Sequence, residues 1–248
     1  MYELAGFRSR KYKYKIHVRS LSLMKQQEAF QKHLLVLVRH GQSTYNLDNR
    51  FTGWADCDLS EQGKKEAEII GQELKDYHIH FDQAYCSALK RTSQTFYIIA
   101  DTVKDGFAQI QMNQEIALNE RNYGVLQGEN KEEAIKKYGL KQVETWRRGY
   151  AVAPPGGESL KQTKERVLQF YHQNIEPLVK LGKNVLITAH GNTLRALIMY
   201  LENINPSDIR KLEIATGQIN LYQFDGNMKI LHHEIKRPLL PTDLKINY

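Results

Sequence analysis

The stretch that decides the fold is LLVLVRHG, residues 34–41. Its five consecutive apolar residues, 34–38, are typical of a strand buried on both faces in the centre of a parallel sheet. A second segment, VLITAHG over residues 185–191, has the same form, an apolar strand followed by histidine and glycine. Ligands bind beyond the carboxyl ends of parallel strands, so His40 and His190 are expected to meet there if the two strands are neighbours.

Strands and helices alternate along the rest of the chain. After Ser60, a predicted N-cap, Ala67, Ile70, Gly71 and Leu74 recur at the spacing of an amphipathic helix. Further strands are predicted at 81–86, 185–188, 218–224 and 229–235, and further helices after Ser87, from Ser159 to about 181, and at 193–201. This pattern predicts an α/β fold over residues 34–248: a single domain whose mainly parallel sheet is flanked by helices on both faces.

Charge is concentrated at the N-terminus. Of the net +7 of the chain, +6 lies in residues 1–33, which carry eight basic and two acidic side chains. This segment is predicted to be a basic, disordered extension, and the alternative is that it binds polyanions such as nucleic acid or a membrane surface. The remaining residues are nearly neutral, so no specific nucleic-acid partner is expected.

Other classes of protein find little support in the composition. No apolar run approaches the roughly 20 residues that span a bilayer, so no membrane partner is expected. The two cysteines, Cys57 and Cys86, form no zinc-binding spacing and favour free thiols in a reducing, cytoplasmic setting. Neither a P-loop nor a GxGxxG motif is present.

The residues around the two histidines point to phosphoryl transfer. Arg39 and Arg91 stand near predicted strand ends, and Arg147 and Arg148 form a pair. Guanidinium groups bind phosphate oxygens bidentately and stay charged, while histidine forms covalent intermediates that divide one difficult step into two. Glycines after each histidine are expected to allow close approach of a ligand to the backbone. These features predict a protein nucleophile surrounded by fixed positive charge.

Several longer motifs resemble those of one family. They are LVRHGQS (37–43), RFTGW (50–54), SALKR (87–91), LNERNYG (118–124), LQGENK (126–131), WRR (146–148) and AHGN (189–192). The chain resembles the 2,3-bisphosphoglycerate-dependent phosphoglycerate mutases of the histidine phosphatase superfamily. The RHG element alone marks the superfamily, and the ERNYG, GENK and WRR elements together single out the mutases.

The resemblance implies a role for each matching residue. His40 would be the nucleophile that becomes phosphohistidine, with its other ring nitrogen donating to a backbone carbonyl. Glu120 would be the general acid/base, and His190, Arg39 and Arg91 would stabilise the transferring group. The implied substrate- and phosphate-binding residues are Arg39, Gly41, Gln42, Ser43, Asn46, Thr52, Gly53, Arg91, Arg121, Asn122, Tyr123, Lys131, Arg147, Arg148, Gly191 and Asn192.

The resemblance also implies an activity: interconversion of 3-phosphoglycerate and 2-phosphoglycerate in glycolysis and gluconeogenesis. The cofactor would be 2,3-bisphosphoglycerate, as primer and intermediate, with no metal. The partners would be small-molecule phosphoglycerates and further copies of the chain, with a homodimer favoured. The alternative is a phosphatase of the same superfamily that acts on a small phosphorylated metabolite.

Overall fold

The computed structural model describes residues 32–107 and 110–238. In this part of the chain one sheet has the strand order β3-β2-β4-β1-β5-β6. Its strands are β1 (Leu34–Arg39), β2 (Gln83–Ser87), β3 (Met112–Glu115), β4 (Val185–Ala189), β5 (Ile219–Phe224) and β6 (Ile230–Lys236). Strands β1 to β4 run parallel, and β5 and β6 are antiparallel to their neighbours. The predicted mainly parallel sheet is confirmed.

Eight α-helices connect or flank these strands within the described residues. They are α1 (Thr44–Leu47), α2 (Glu61–Asp76), α3 (Lys90–Val103), α4 (Lys131–Tyr138), α5 (Leu140–Arg148), α6 (Leu160–Phe170), α7 (Glu176–Lys180) and α8 (Gly191–Leu201). A π-helical turn, Tyr171–Ile175, joins α6 to α7. None of the described helices has the length and apolar character needed to cross a bilayer.

Two predicted helix starts are confirmed by their caps. The Ser60 hydroxyl accepts a hydrogen bond from the Gly63 amide at 3.1 Å, and the four predicted apolar positions of α2 are buried. Ser159 forms a capping box with Gln162 at the start of α6. Such caps satisfy backbone amides that have no partner inside the helix.

The core of the sheet lies on both faces of β1. Leu35 and Leu37 pack with buried side chains of β4, β5, α6 and α8. Leu34, Val36 and Val38, on the opposite face, are also buried, and α3, which packs on α2, contacts β2 and β4. Side chains of a strand alternate between faces, so a strand covered on both sides must be apolar throughout. The apolar residues 34–38 therefore form a central strand of the sheet, as predicted.

Some predicted boundaries are wrong. Helix α3 begins at Lys90 with Leu89 at its N-cap, whereas Ser87 ends β2 and accepts a hydrogen bond from the Leu89 amide at 3.1 Å. Strand β2 starts at Gln83 rather than 81, and α8 starts at Gly191 rather than 193. Short polar side chains satisfy amides in turns as well as at caps, so serine alone does not locate a helix start.

The predicted N-terminal extension, residues 1–33, lies outside the described residues except for Lys32 and His33, and its boundary stays a prediction. His33 already contacts the folded part, since its Nδ1 lies 2.7 Å from the Val179 carbonyl and its own carbonyl accepts from the Phe224 amide at 3.1 Å. Both cysteines, Cys57 and Cys86, are buried free thiols, as predicted.

Candidate active site

The two strand-end histidines meet at one edge of the sheet. Strands β1 and β4 pair in parallel with Arg39 opposite Ala189, so the next residue of each strand is a histidine. The rings of His40 and His190 lie with centroids 5.0 Å apart, and both side chains are buried. The juxtaposition predicted from the apolar strands is confirmed.

His40 is held in one tautomer. Its Nδ1 lies 2.6 Å from the Gly41 carbonyl oxygen, which can only accept, so Nδ1 carries the proton. Its Nε2 then holds the lone pair and accepts from Arg91 Nε at 3.3 Å. The predicted hydrogen bond from the other ring nitrogen to a backbone carbonyl is therefore present, and Nε2 is the unprotonated, nucleophilic atom.

Both histidines are kept neutral by their surroundings. Burial, followed by the charges of Arg91 and Arg39, holds the pKa of His40 well below its usual 6.5. Burial and Arg91 do the same to the pKa of His190. A charged imidazole next to two guanidinium groups would be desolvated and repelled, so the neutral form, which is the form that attacks phosphorus, is favoured.

These lowered pKa values predict that acid destabilises the unphosphorylated protein. Below pH 6.5 the unfolded chain binds protons that buried His40 and His190 do not, so the free energy of unfolding should fall as pH falls. Each histidine contributes at most about 1.4 kcal/mol per pH unit. Urea unfolding between pH 8 and pH 5.5 should show that the free energy of unfolding falls less steeply with pH in His40→Gln than in the native protein. An unchanged pH dependence of this free energy would contradict the burial argument.

Arg91 is fixed by backbone carbonyls beside His40. Its two terminal nitrogens donate to Gly53 and Ala55, both at 2.9 Å, and the side chain is fully buried. Gly53 has φ of +53°, a left-handed conformation that glycine adopts without strain, and this turn presents its carbonyl to Arg91. The guanidinium is therefore preorganised for charge that develops on a ligand bound at His40.

Arg39 is held from the opposite side of the site. Its Nη1 donates to the Ile214 carbonyl at 2.5 Å. Its guanidinium lies close to Gly191, since a Cβ added at Gly191 would be 3.6 Å from Arg39 Cζ. Its Nε is buried and has no hydrogen-bond partner among the described residues. A buried donor of this kind is costly unless a ligand satisfies it.

His190 is oriented by a hydroxyl. Its Nε2 lies 2.7 Å from Ser87 Oγ, and its Nδ1 is buried without a partner among the described residues. Ser87 is itself fixed, because its Oγ accepts from the Leu89 amide and lies 2.8 Å from Thr92 Oγ1. The ring edge of His190 that bears Nδ1 is thus left for a ligand.

Glu120 completes the catalytic end. Its Oε1 accepts from the amides of Arg121 at 2.7 Å and Asn192 at 3.1 Å, so the carboxylate sits at the N-terminus of α8. Its backbone carbonyl accepts from Trp54 Nε1 at 2.6 Å. These contacts fix the loop at Glu120 and the orientation of its carboxylate.

A strongly cationic cleft opens above these residues. Burial, followed by the charges of Arg147 and Arg39, lowers the pKa of Lys131 to about 8. The charged residues that line the cleft are Arg39, Arg50, Lys131, Arg147, Arg148 and Arg195, with Glu120 and Glu213 as the acidic ones. Six cationic groups facing two carboxylates indicate a site for a multiply charged anion.

The structure brings most of the predicted site residues to this cleft. Those that line it are Arg39, Asn46, Thr52, Gly53, Glu120, Tyr123, Lys131, Arg147, Arg148, Gly191 and Asn192. His40, Arg91 and His190 are buried beside one another at the carboxyl ends of β1 and β4.

Besides Arg91, five predicted ligand residues are not among those that line the cleft. The Gly41 amide donates to Thr95 Oγ1 at 3.1 Å, and a Cβ at Gly41 would lie 2.2 Å from the Gly63 carbonyl oxygen, so packing requires glycine at this position. The others make supporting contacts: Gln42 binds Ser60, Ser43 caps α1, Arg121 donates to the Arg147 carbonyl and Asn122 accepts from Gly124. Their direct ligand contacts stay predictions.

Other cleft residues were not predicted from the sequence. Arg195 is buried and donates to the Asn192 side chain at 2.9 Å, which fixes the orientation of that amide. Arg50, Phe51, Glu213 and Ile214 also line the cleft. Arg50 and Phe51 belong to the RFTGW motif, whereas Arg195, Glu213 and Ile214 lie in none of the motifs.

Comparison with known proteins identifies the family. The model of the histidine phosphatase superfamily (branch 1) matches residues 35–234. A 2,3-bisphosphoglycerate-dependent phosphoglycerate mutase of Cytophaga hutchinsonii is 50% identical over 212 residues, which cover 85% of this chain and 97% of that protein. A protein of the same name from Afipia carboxidovorans is 51% identical over 197 residues, with 79% and 94% covered.

Solved structures share the fold at lower identity. A mycobacterial glucosyl-3-phosphoglycerate phosphatase in complex with VO3 superposes with a TM-score of 0.66 at 22% identity, covering 82% of this chain and 97% of that one. The α-ribazole phosphatase of Shigella flexneri gives 0.66 at 22% identity, with 77% and 90% covered. The chain belongs to the histidine phosphatase superfamily, and within it to the family of 2,3-bisphosphoglycerate-dependent phosphoglycerate mutases.

Proposed function

We propose that this protein interconverts 3-phosphoglycerate and 2-phosphoglycerate, in glycolysis and gluconeogenesis, through a phosphohistidine at His40. The observation that carries the proposal is the state of His40, whose Nδ1 is bound to the Gly41 carbonyl and whose Nε2 lone pair lies 3.3 Å from Arg91 Nε. A neutral imidazole with one nitrogen fixed is a nucleophile poised for phosphorus. Identity near 50% to mutases over most of the chain agrees with this chemistry.

In the proposed transfer, the Nε2 lone pair of His40 forms a bond to phosphorus as the bond from phosphorus to the substrate oxygen breaks. Glu120 gives a proton to that departing oxygen and takes one from the hydroxyl that attacks in the return step. Arg39, Arg91 and the Nδ1 edge of His190 surround the phosphoryl oxygens, where charge rises during transfer.

The cleft residues fit 2,3-bisphosphoglycerate, which would supply the first phosphoryl group. The buried Arg39 Nε and His190 Nδ1 are unpartnered among the described residues, as expected where phosphate oxygens bind. Arg39, Arg91, His40 and His190 would hold the transferring phosphate. Thr52, Gly53, Tyr123, Lys131, Arg147 and Arg148 would hold the remainder, including the carboxylate.

The mutase and phosphatase alternatives differ in what accepts the phosphoryl group, a second substrate hydroxyl or water. The protein, primed with 2,3-bisphosphoglycerate and given 3-phosphoglycerate, should form 2-phosphoglycerate faster than inorganic phosphate, as followed by ³¹P NMR. Protein freed of phosphate should show a lag or no mutase turnover until primer is added. Release of inorganic phosphate with no isomer formed would instead identify a phosphatase.

The remaining expectations belong to the same proposal. A metal is not required by this chemistry, and a homodimer and a cytoplasmic location are proposed with it; the buried free thiols Cys57 and Cys86 agree with a reducing compartment. The role of residues 1–33 stays open between an inert tail and a polyanion-binding segment. Deleting them should leave catalysis intact.

A further inference from the structure

One acidic side chain enters the cationic cleft from the segment between α8 and β5. The carboxylate of Glu213 forms an ion pair with the guanidinium of Arg148. The carbonyl of the next residue, Ile214, accepts from Arg39 Nη1 at 2.5 Å. Two consecutive residues thus contact two arginines of the cleft, Arg148 and Arg39.

Glu213 differs from the other cleft carboxylate in how it is held. Glu120 accepts two backbone amides and is 9% exposed, which suits a fixed catalytic group. The Glu213 side chain is 62% exposed, and its ion pair with Arg148, itself 26% exposed, is the contact that brings it to the cleft. Exposed ion pairs contribute little to stability, so this one is easily broken.

We infer that Glu213 is an internal competitor for the arginine that receives the substrate carboxylate. The inference rests on the proposed function, in which Arg148 binds the carboxylate of a phosphoglycerate. The Glu213 carboxylate is paired with Arg148, and a substrate carboxylate that binds this arginine must displace it. The free energy needed to break this ion pair lowers the affinity for substrate and product alike. It therefore keeps KM high and speeds product release without altering the chemistry at His40.

Glu144 provides a matched control. It lies 3.9 Å from Arg147, the neighbour of Arg148, and is similarly exposed, but it is not among the residues that line the cleft. Glu144→Gln and Glu213→Gln therefore remove the same charge near the same arginine pair, and Glu213→Gln alone removes a competitor from the cleft.

The experiment compares the two variants by calorimetric binding and by kinetics. Glu213→Gln should bind 3-phosphoglycerate more tightly and lower its KM, by up to about fivefold, the limit set by an exposed ion pair. The affinity for glycerol 3-phosphate, which lacks the carboxylate, should change no more in Glu213→Gln than it does in Glu144→Gln. The kcat of Glu213→Gln should stay level or fall if product release limits turnover.

Opposite outcomes overturn the inference. Weaker binding of 3-phosphoglycerate by Glu213→Gln would mean that Glu213 orients Arg148 for substrate, and equal tightening in Glu144→Gln would mean a change of net charge only. Binding is measured on the unphosphorylated protein, so it is independent of turnover. If Glu213→Gln alone binds 3-phosphoglycerate more tightly but the protein has no mutase turnover, the role of Glu213 is supported and the proposed function is overturned. If the protein has mutase turnover but Glu213→Gln binds 3-phosphoglycerate as the native protein does, the proposed function is supported and the role of Glu213 is overturned.

Discussion

Replacing His40 with alanine is expected to remove all acid-labile phosphate from the protein and to lower mutase turnover by at least about 10⁴-fold. The nucleophile is irreplaceable in this site, because the other imidazole, His190, holds its Nε2 against Ser87 Oγ and serves to stabilise the phosphoryl group. Incubation with ³²P-labelled 2,3-bisphosphoglycerate, followed by measurement of acid-labile label, tests the first effect, and steady-state assay tests the second.

The matched control for His40→Ala is His172→Ala. His172 is a half-exposed histidine on the π-helical turn that contacts Glu176, so its loss should leave both labelling and turnover intact. Near-ultraviolet circular dichroism would establish that both variants are folded. Retention of acid-labile label in His40→Ala, on His190 or elsewhere, would contradict the assignment of the nucleophile.

The parts of the fold that sequence predicts well are those where pattern and burial agree. Strands β1 and β4 are uniformly apolar because both faces of the central sheet are covered, and they were predicted to within a residue or two. Helix α2 has a capping serine and four apolar residues at helical spacing, all of them buried. In each case one local signal and the tertiary environment favour the same structure.

Elements whose apolar content is low were missed. Strand β3 reads MNQE and is only partly buried, so its pairing with β2, not its composition, makes it a strand. Helices α4 and α5 each bury a single residue, Ala134 and Val143, against a small cluster that includes Phe51 and Tyr123. Phe51 lies more than 80 residues before both of them, beyond the reach of a local pattern.

The candidate site divides in the same way. The meeting of His40 with His190 was predicted on the condition that their strands are neighbours, and the parallel pairing of β1 with β4 meets that condition. Glu120 sits on a loop and Lys131 begins α4, neither with a distinguishing local pattern, and their placement rested on resemblance to the family. Arg195 and Glu213 were missed by both routes, because a buried arginine in a helix and an exposed glutamate in a turn are ordinary features until the fold brings them to the cleft.

Replacing Glu120 with glutamine is expected to lower kcat by about 10²- to 10⁴-fold, the range for loss of a general acid/base, while KM stays nearly unchanged. A glutamine oxygen can still accept the amides of Arg121 and Asn192, so the loop should keep its position. What is lost is the group that carries the proton. The variant should also label at His40 more slowly than the native protein but reach the same final level, unlike His40→Ala.

Two comparisons separate proton transfer from a structural role of Glu120. Glu165→Gln, at an exposed glutamate on α6, removes a charge without touching the cleft and should be active. Calorimetric affinity for 3-phosphoglycerate should match the native value in Glu120→Gln, since a displaced loop would weaken it along with kcat. A parallel loss of affinity and turnover would make Glu120 a support for the N-terminus of α8.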